Sequence, residues 1–365
     1  MRRRDLLLGA ALAAMPFRPA AAREALILGA WRQPGEGDRL AAFSTGGRVP
    51  LRLGLEARAH GFAAHPRRPL AVVFGRRPGW EALVADLARG ELNQAFAPSE
   101  GRHLNGHGLF SADGRLLYAT ETRVEDGEGL IGVYDAAADF VRVAEFPSGG
   151  RDPHEMRLSP DGGRLIVANG GILTHPDAPR ANLDPEGMDP SLAQLDARTG
   201  RMLAQRRFDP ALNRLSIRHM AAVPGGTAVA MQYEGEETAE VPLLAIQRGE
   251  GGLAPLDLPD PWRAACRNYL GSVAADSSGT VLAATSPRGG LTLFWDLAAG
   301  RALEPARLGD VCGLAPGDAP GCFILASGQG GLVEADARRG RMRPLAGPPG
   351  SDSRSAWDNH LLRLG

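Results

Sequence analysis

An all-β ring of seven four-stranded blades is the architecture this sequence predicts, on three observations. First, a polar residue, often His, leads into an apolar strand, a Gly turn and a second apolar run. The run His107-Gly108-Leu109-Phe110-Ser111-Ala112-Asp113-Gly114, followed by Leu116 to Thr120, sets this frame, which returns at His60, Glu155, His219, Ser272, Cys312 and His360. Second, seven apolar strands running into polar or Gly-rich loops start at Leu26, Ala71, Leu117, Leu165, Ala228, Val281 and Phe323. Third, the first repeat begins at its second strand near Ala25, whereas Trp357 to Leu364 is a lone leading strand with nothing after it. Joining the two ends completes a seventh blade and removes an exposed sheet edge. The expected domain is therefore one β-propeller over residues 23–365, of the WD40/YVTN-like repeat kind.

Composition supports that architecture. Of 365 residues, 44% are hydrophobic, and 48 Gly with 28 Pro suit many short strands and tight turns. The formal net charge of −1 offers no field for nucleic acid or an anionic membrane. Every basic side chain is Arg, which excludes Schiff-base lysine chemistry and a Walker phosphate loop. No G-x-S-x-G elbow, paired-Cys zinc spacing or GxGxxG loop occurs.

The chain opens with an address. Arg2-Arg3-Arg4-Asp5-Leu6-Leu7-Leu8, an Ala-rich run from Gly9 to Met15 and the small residues Ala20-Ala21-Ala22 predict a twin-arginine signal peptide over 1–22. An ordinary secretory signal is the alternative, and both predict export to the periplasm. Residues 1–22 carry a net +3, so the mature chain sits at about −4. The later sequence has no apolar run long enough to span a bilayer.

Third strands end at Asp86, Asp135, Asp196, Asp296 and Asp336, for the most part roughly forty to sixty residues apart, a spacing that fits one blade each. An Asp followed by small residues and Gly predicts a carboxylate capping its own turn, hence a structural part. The insert from Leu173 to Pro190, rich in Pro and Asp, predicts a loop over one face of the third blade, and Asp260 to Arg267 a short helical connection. Cys266, Cys312 and Cys322 allow one disulfide, but their spacing assigns none.

Several runs resemble the signature blocks of the bacterial domain-of-unknown-function family 1513. They are Gly106-His107-Gly108, Pro153-His154-Glu155, Val167-Ala168-Asn169-Gly170-Gly171-Ile172 with Thr174-His175-Pro176-Asp177, Ser216-Ile217-Arg218-His219, Gln232-Tyr233-Glu234-Gly235, Ser286-Pro287-Arg288-Gly289-Gly290 and Asp310-Val311-Cys312-Gly313. The likeness covers nearly the whole mature chain. It implies an exported propeller, often encoded beside imelysin-type proteins and a haem-peroxidase-like partner, with a role in iron acquisition.

The frame itself places candidate functional groups. In a propeller the first strand of each blade lines the central channel, and the loop entering it opens on the same face as the loop between second and third strands. The positions His60, His107, His154 with Glu155, His219, Cys312 and His360 are thus expected to converge at the channel mouth as ligands for iron, copper or zinc. Arg32, Arg76, Glu121, Asn169, Arg218, Gln232, Glu234, Arg288 and Gln329 are expected to ring that mouth and contact a ligand or partner. A plain structural role stands beside each assignment, since a His at the start of an inner strand can fasten neighbouring blades by hydrogen bonds. His65 and His175 are expected to shape their own loops. Arg157 and Arg218 suit either an anion or a tether between blades.

The leading functional expectation is a periplasmic propeller that binds a transition metal, or a metal-bearing partner, at its His-lined face. A metal-assisted hydrolase of the lactonase kind, with Glu155 or Glu121 handling protons, is the alternative enzyme. A scaffold without a small ligand, docking an imelysin-type or haem-peroxidase-like protein through its loops, is the third reading.

Overall fold

The protein, seen in a computed structural model that describes residues 25–179 and 181–364, is a seven-bladed β-propeller of antiparallel four-stranded sheets. The signal-peptide segment 1–22 lies outside the described residues. Blade 1 is built from both ends of the chain, Ala356–Leu364 pairing with Leu26–Gln33 ahead of Gly37–Phe43 and Leu51–Leu55. Blades 2 to 7 follow in chain order. Their inner strands are Ala59–Ala64, Arg102–Phe110, Pro153–Leu158, Leu215–Val223, Ser272–Ala275 and Val311–Pro316. Each inner strand packs beside those of the neighbouring blades, so the seven form a closed ring.

The expected strand frame is reproduced because burial follows position within a blade. Second strands lie under sheets on both faces and are largely buried: all of Val281–Ser286 is buried. Outer strands meet water, and Arg341–Leu345 is almost entirely exposed. The core is a set of apolar layers between adjacent blades. Between blades 3 and 4, Tyr118, Ile131 and Val133 meet Leu165, Val167 and Ala193. The Tyr118 hydroxyl donates to Ala197 O at 2.8 Å and ties those blades together.

The turn aspartates act as expected. Asp86 Oδ1 accepts the amides of Ala88 and Arg89, Asp196 those of Arg198 and Thr199, and Asp336 those of Arg338 and Arg339. Asp296 repeats the pattern with Ala298 and Ala299. A helix does form at Asp260–Ala265, and all three cysteines are buried free thiols. The Leu173 to Pro190 insert is irregular and joins the second and third strands of the blade that begins at Pro153, the expected blade, which is numbered 4 once the composite blade of the two termini is counted first. Among the described residues no helix is long and apolar enough to cross a membrane.

Candidate metal centre

The inner strands are not regular where the imidazoles sit, and this irregularity makes the site. Six of the seven inner strands shift register against their second strand at the predicted position; only Ser272–Ala275 pairs without a break. Extra residues are spliced in at His60-Gly61, Asn105-Gly106-His107, His154, Arg218, Cys312 and Asp358-Asn359-His360. A bulge bends its strand and re-aims side chains that strict alternation would send into the blade. It also decides between neighbours in blade 4. The frame set Glu155 at the recurrent position, but the single-residue bulge turns His154 into the channel as well.

Five imidazoles meet there. His107 sits at their centre, with ring centroids 4.8 Å from His60, 5.3 Å from His154, 5.5 Å from His219 and 4.8 Å from His360. The outer four touch in turn, His60 to His360 at 4.7 Å, His360 to His219 at 4.6 Å and His219 to His154 at 4.8 Å. Two triads are candidate ligand sets, His60/His107/His360 and His107/His154/His219, with ligand nitrogens all within 4.8 Å of one another. Two ligands on one ion at about 2.1 Å lie no more than about 4.2 Å apart, so only a small inward movement is needed.

Two glycines make this approach possible. Gly106 has φ +96°, and a Cβ on it would lie 2.5 Å from His60 Cδ2; a Cβ on Gly61 would lie 2.4 Å from Gly106 O and 2.9 Å from His107 Nδ1. The dipeptides His60-Gly61 and Gly106-His107 carried that signal in the sequence, and it went unread. Gly106→Ala is expected to cost about 2 kcal/mol of stability and to part His60 from His107. Urea denaturation and metal content of the variant check it.

Electrostatics keeps four of the five rings neutral. Burial, reinforced by neighbouring His and Arg charge, holds His60, His154 and His360 well below the usual imidazole range, and burial brings His107 down to about 4. His60 Nδ1, His107 Nε2, His154 Nδ1 and His360 Nε2 are buried with no hydrogen-bond partner in the protein. His219 differs, because its Nδ1 lies 3.0 Å from Glu155 Oε2, which also accepts the Met220 amide at 3.1 Å. Burial works to raise the Glu155 carboxyl, but the His219 hydrogen bond and nearby positive charge outweigh it and leave it below its usual range. A carboxylate on one imidazole nitrogen fixes the ring so that the other nitrogen is free to ligate.

The remaining predicted residues divide. Arg76, Arg218, Glu234 and Arg288 each have a partner of their own. Arg76 Nη2 donates to Asn359 Oδ1, Arg218 pairs with Glu234 at 3.0 Å and lies 3.7 Å from Asp152, and Arg288 stacks 5.0 Å from the Tyr269 ring centroid. Gln232 bridges to Tyr269 through the backbone. Asp358 and Arg58, which pair here, carried no signal in the sequence. Burial lifts the Asp358 carboxyl to about 6 against the pull of Arg58.

Glu121 departs from expectation. Its fully buried carboxylate is bonded to Tyr134 Oη and to Arg142 at 2.8 Å on a face of the blade 3 sheet, because it sits within the strand Leu116–Arg123 and not in the loop after it. Asn169 likewise donates to Ser148 O and Ser191 Oγ between blades 3 and 4, and Arg32 is committed to Asp38 at 2.9 Å. The Cys312 thiol contacts the carbonyls of Ala326, Trp357 and Asp358, belongs to neither triad, and burial pushes it up to about 12. His65 Nδ1 accepts the amides of Arg67 and Arg68, and His175 Nδ1 that of Asp177, so both shape their loops. Gln329, through its amide to Ser327 Oγ, also takes part in its own turn.

The imidazoles roof a void of about 440 Å³ inside the channel, with His107, His360 and Glu155 at its top. Its other walls come from the ends of the inner strands, including Asp276, Pro316 and Arg363. The void therefore lies on the side away from the predicted mouth, towards the loops between first and second strands.

A family model described as "Protein of unknown function (DUF1513)" matches residues 53–364. No curated protein matches the chain by sequence. Among solved structures, a chain of "Crystal Structure of Mitotic Checkpoint Complex" is similar with TM-score 0.58 and 13% identity, over 97% of this chain and 90% of that one. A chain of "Kuenenia stuttgartiensis Hydrazine Synthase" is similar with TM-score 0.56 and 16% identity, over 86% of this chain and 90% of that one. At those identities the likeness is one of fold.

Proposed function

This chain belongs to the DUF1513 family of proteins of unknown function, and from that premise we propose that it is a propeller that binds a transition-metal ion at the five-imidazole cluster in its channel. One observation carries the reading: four buried imidazole nitrogens, on His60, His107, His154 and His360, have no partner in the protein. Buried polar atoms are normally hydrogen-bonded, and leaving one unpaired costs about 1–3 kcal/mol. Four such atoms at one point are costly as blade fasteners and well suited as ligands. Neutral imidazole suits iron, copper and zinc, and the lowered pKa values keep the rings in the ligating form at neutral pH.

Within this reading iron comes first among these ions, since the chain resembles proteins encoded beside imelysin-type and haem-peroxidase-like neighbours, and the twin-arginine signal expected over 1–22 supports a periplasmic site. The role is then to hold iron, or to meet an iron-bearing partner, during its uptake. Binding is favoured over hydrolysis because the carboxylate best placed to handle protons, Glu155, already accepts from His219 and from the Met220 amide.

The test is the metal content of the mature, untagged protein. Near one ion per chain is expected in the parent. His107→Ala removes the member common to both triads and is expected to weaken binding by on the order of a hundredfold or more. His60→Ala and His154→Ala each break one triad, so the more damaging of the two identifies the occupied one. A folded parent that takes up no iron, copper or zinc on incubation with each ion would refute the reading.

A further inference from the structure

The void beneath the imidazoles contains a cation without an assigned task. Arg157, on the inner strand of blade 4, lines it, and the only hydrogen bond of its guanidinium among the described residues is a long one, Nη1 to Met220 O at 3.5 Å. It has no carboxylate partner within salt-bridge distance among the described residues, whereas the other charged groups of the void are occupied. Arg363 pairs with Asp318 at 2.8 Å, Asp276 accepts the amides of Thr280, Val281 and Gly321, and Glu155 holds His219. Half-buried, and offset by Glu155 only at a distance, the Arg157 charge gains from an anion that meets it directly.

The space around that charge is asymmetric. Blades 1 to 5 each send an imidazole into the channel, while blades 6 and 7 send none. Blade 6 offers the short unbulged strand Ser272–Ala275, whose small side chains stand back from the axis. Phe62, Met220, Val273, Leu314 and Leu361 give the void an apolar part, beside the polar part supplied by Ser272, Asp276 and the imidazoles. A single uncommitted guanidinium beside apolar surface fits one negative charge on an apolar body, and its planar fork matches a carboxylate. Inorganic phosphate, which is more heavily charged and has no apolar part, leaves the apolar part of the void unused.

We propose that this void is the binding site for a small monocarboxylate with an apolar body, its carboxylate held by Arg157 directly beneath the imidazole cluster. The ligand then lies next to any ion the imidazoles hold, on the side the five histidines leave open. That contact with the ion rests on the metal reading above; the contact with Arg157 does not.

Calorimetric titration of the metal-free protein with benzoate tests it. Benzoate is expected to bind, Arg157→Met to weaken it at least tenfold, and Arg157→Lys to restore part of the loss. Ala274→Phe, which fills the void from blade 6, is expected to abolish benzoate binding while leaving metal content intact. The inference is overturned if benzoate gives no binding heat, if Arg157→Met binds it as the parent does, or if equimolar phosphate displaces it. Metal content is read on the same preparations. A protein that holds an ion but not benzoate sinks this inference alone, and one that binds benzoate but no ion sinks the metal site alone.

Discussion

Truncation after Ser355 is expected to give a chain that does not fold to a closed ring. The lost strand, Ala356–Leu364, is the whole inner strand of blade 1, and its register with Leu26–Gln33 runs from Leu26↔Leu364 to Arg32↔Ala356. Its removal uncovers an edge of unpaired backbone groups in the middle of the barrel wall, a position no short or charged strand protects. It also strips an apolar layer in which Trp357, 1% exposed, stacks 5.2 Å from Trp31 and 5.7 Å from Phe43 while Leu361 packs with it. Deleting one buried Trp side chain costs about 3–5 kcal/mol, against a total stability of about 5–15 kcal/mol for a domain. Loss of Trp357, Leu361 and the ladder together exceeds what remains. Trp357→Ala alone is expected to stay folded with a clearly lower urea midpoint. The truncated chain is expected to aggregate or to lose its cooperative transition, with partial recovery when a peptide of residues 356–364 is supplied. A truncated monomer that unfolds at the parent's midpoint would show that blade 1 does not depend on its closing strand.

The closing strand was legible because both halves of a split repeat keep the pattern of the whole ones, so Trp357 to Leu364 stands out as a leading strand without a blade. The convergence of His60, His107, His219 and His360 followed from the same pattern, since one position in a repeat maps to one height in the channel. What the pattern cannot show is a bulge. An inserted residue flips every later side chain to the other face, and hydrophobic spacing tolerates it at the end of a short strand. That is why Glu155 took the place in the frame that His154 shares, and why the central position of His107, set by the bulge Asn105-Gly106-His107, was invisible. Glu121 failed for a related reason: a loop was expected to carry it, but it lies within the strand Leu116–Arg123 and alternation sends it to Tyr134 and Arg142. The void was hidden because it depends on the small size of residues in blade 6, a property that marks nothing in a sequence.

The metal-free protein is expected to be acid-labile well above the range where carboxylates titrate. His60, His107, His154 and His360 are held neutral in the fold, by burial first, with His107 brought to about 4, while in the unfolded chain each titrates near 6.5. Between those limits the unfolded state binds more protons, so stability is full above about pH 6.5 and falls as the pH drops. At pH 5 His107 alone costs about 2 kcal/mol, and His60, His154 and His360, lowered in the same direction, add to that loss. Asp358 works the other way. Its carboxyl, lifted to about 6 by burial, takes a proton more readily in the fold than in the unfolded chain, so it returns about 1 kcal/mol as the pH falls to 5. The imidazoles dominate by number, and the net loss of several kcal/mol is comparable to the whole stability of a domain. Urea midpoints measured in a chelator at pH 7.5 and pH 5 are expected to fall steeply, and His154→Leu, which removes one of the four charges to be buried, is expected to flatten the decline by about a quarter. An ion on the cluster adds a second barrier, because ligand nitrogens cannot take protons until it leaves, so the metal-loaded protein is expected to hold its midpoint to lower pH. A metal-free midpoint that is level from pH 7.5 to pH 5 would mean that the imidazoles are already solvated or protonated in the fold, and the neutral cluster on which the site depends would not exist.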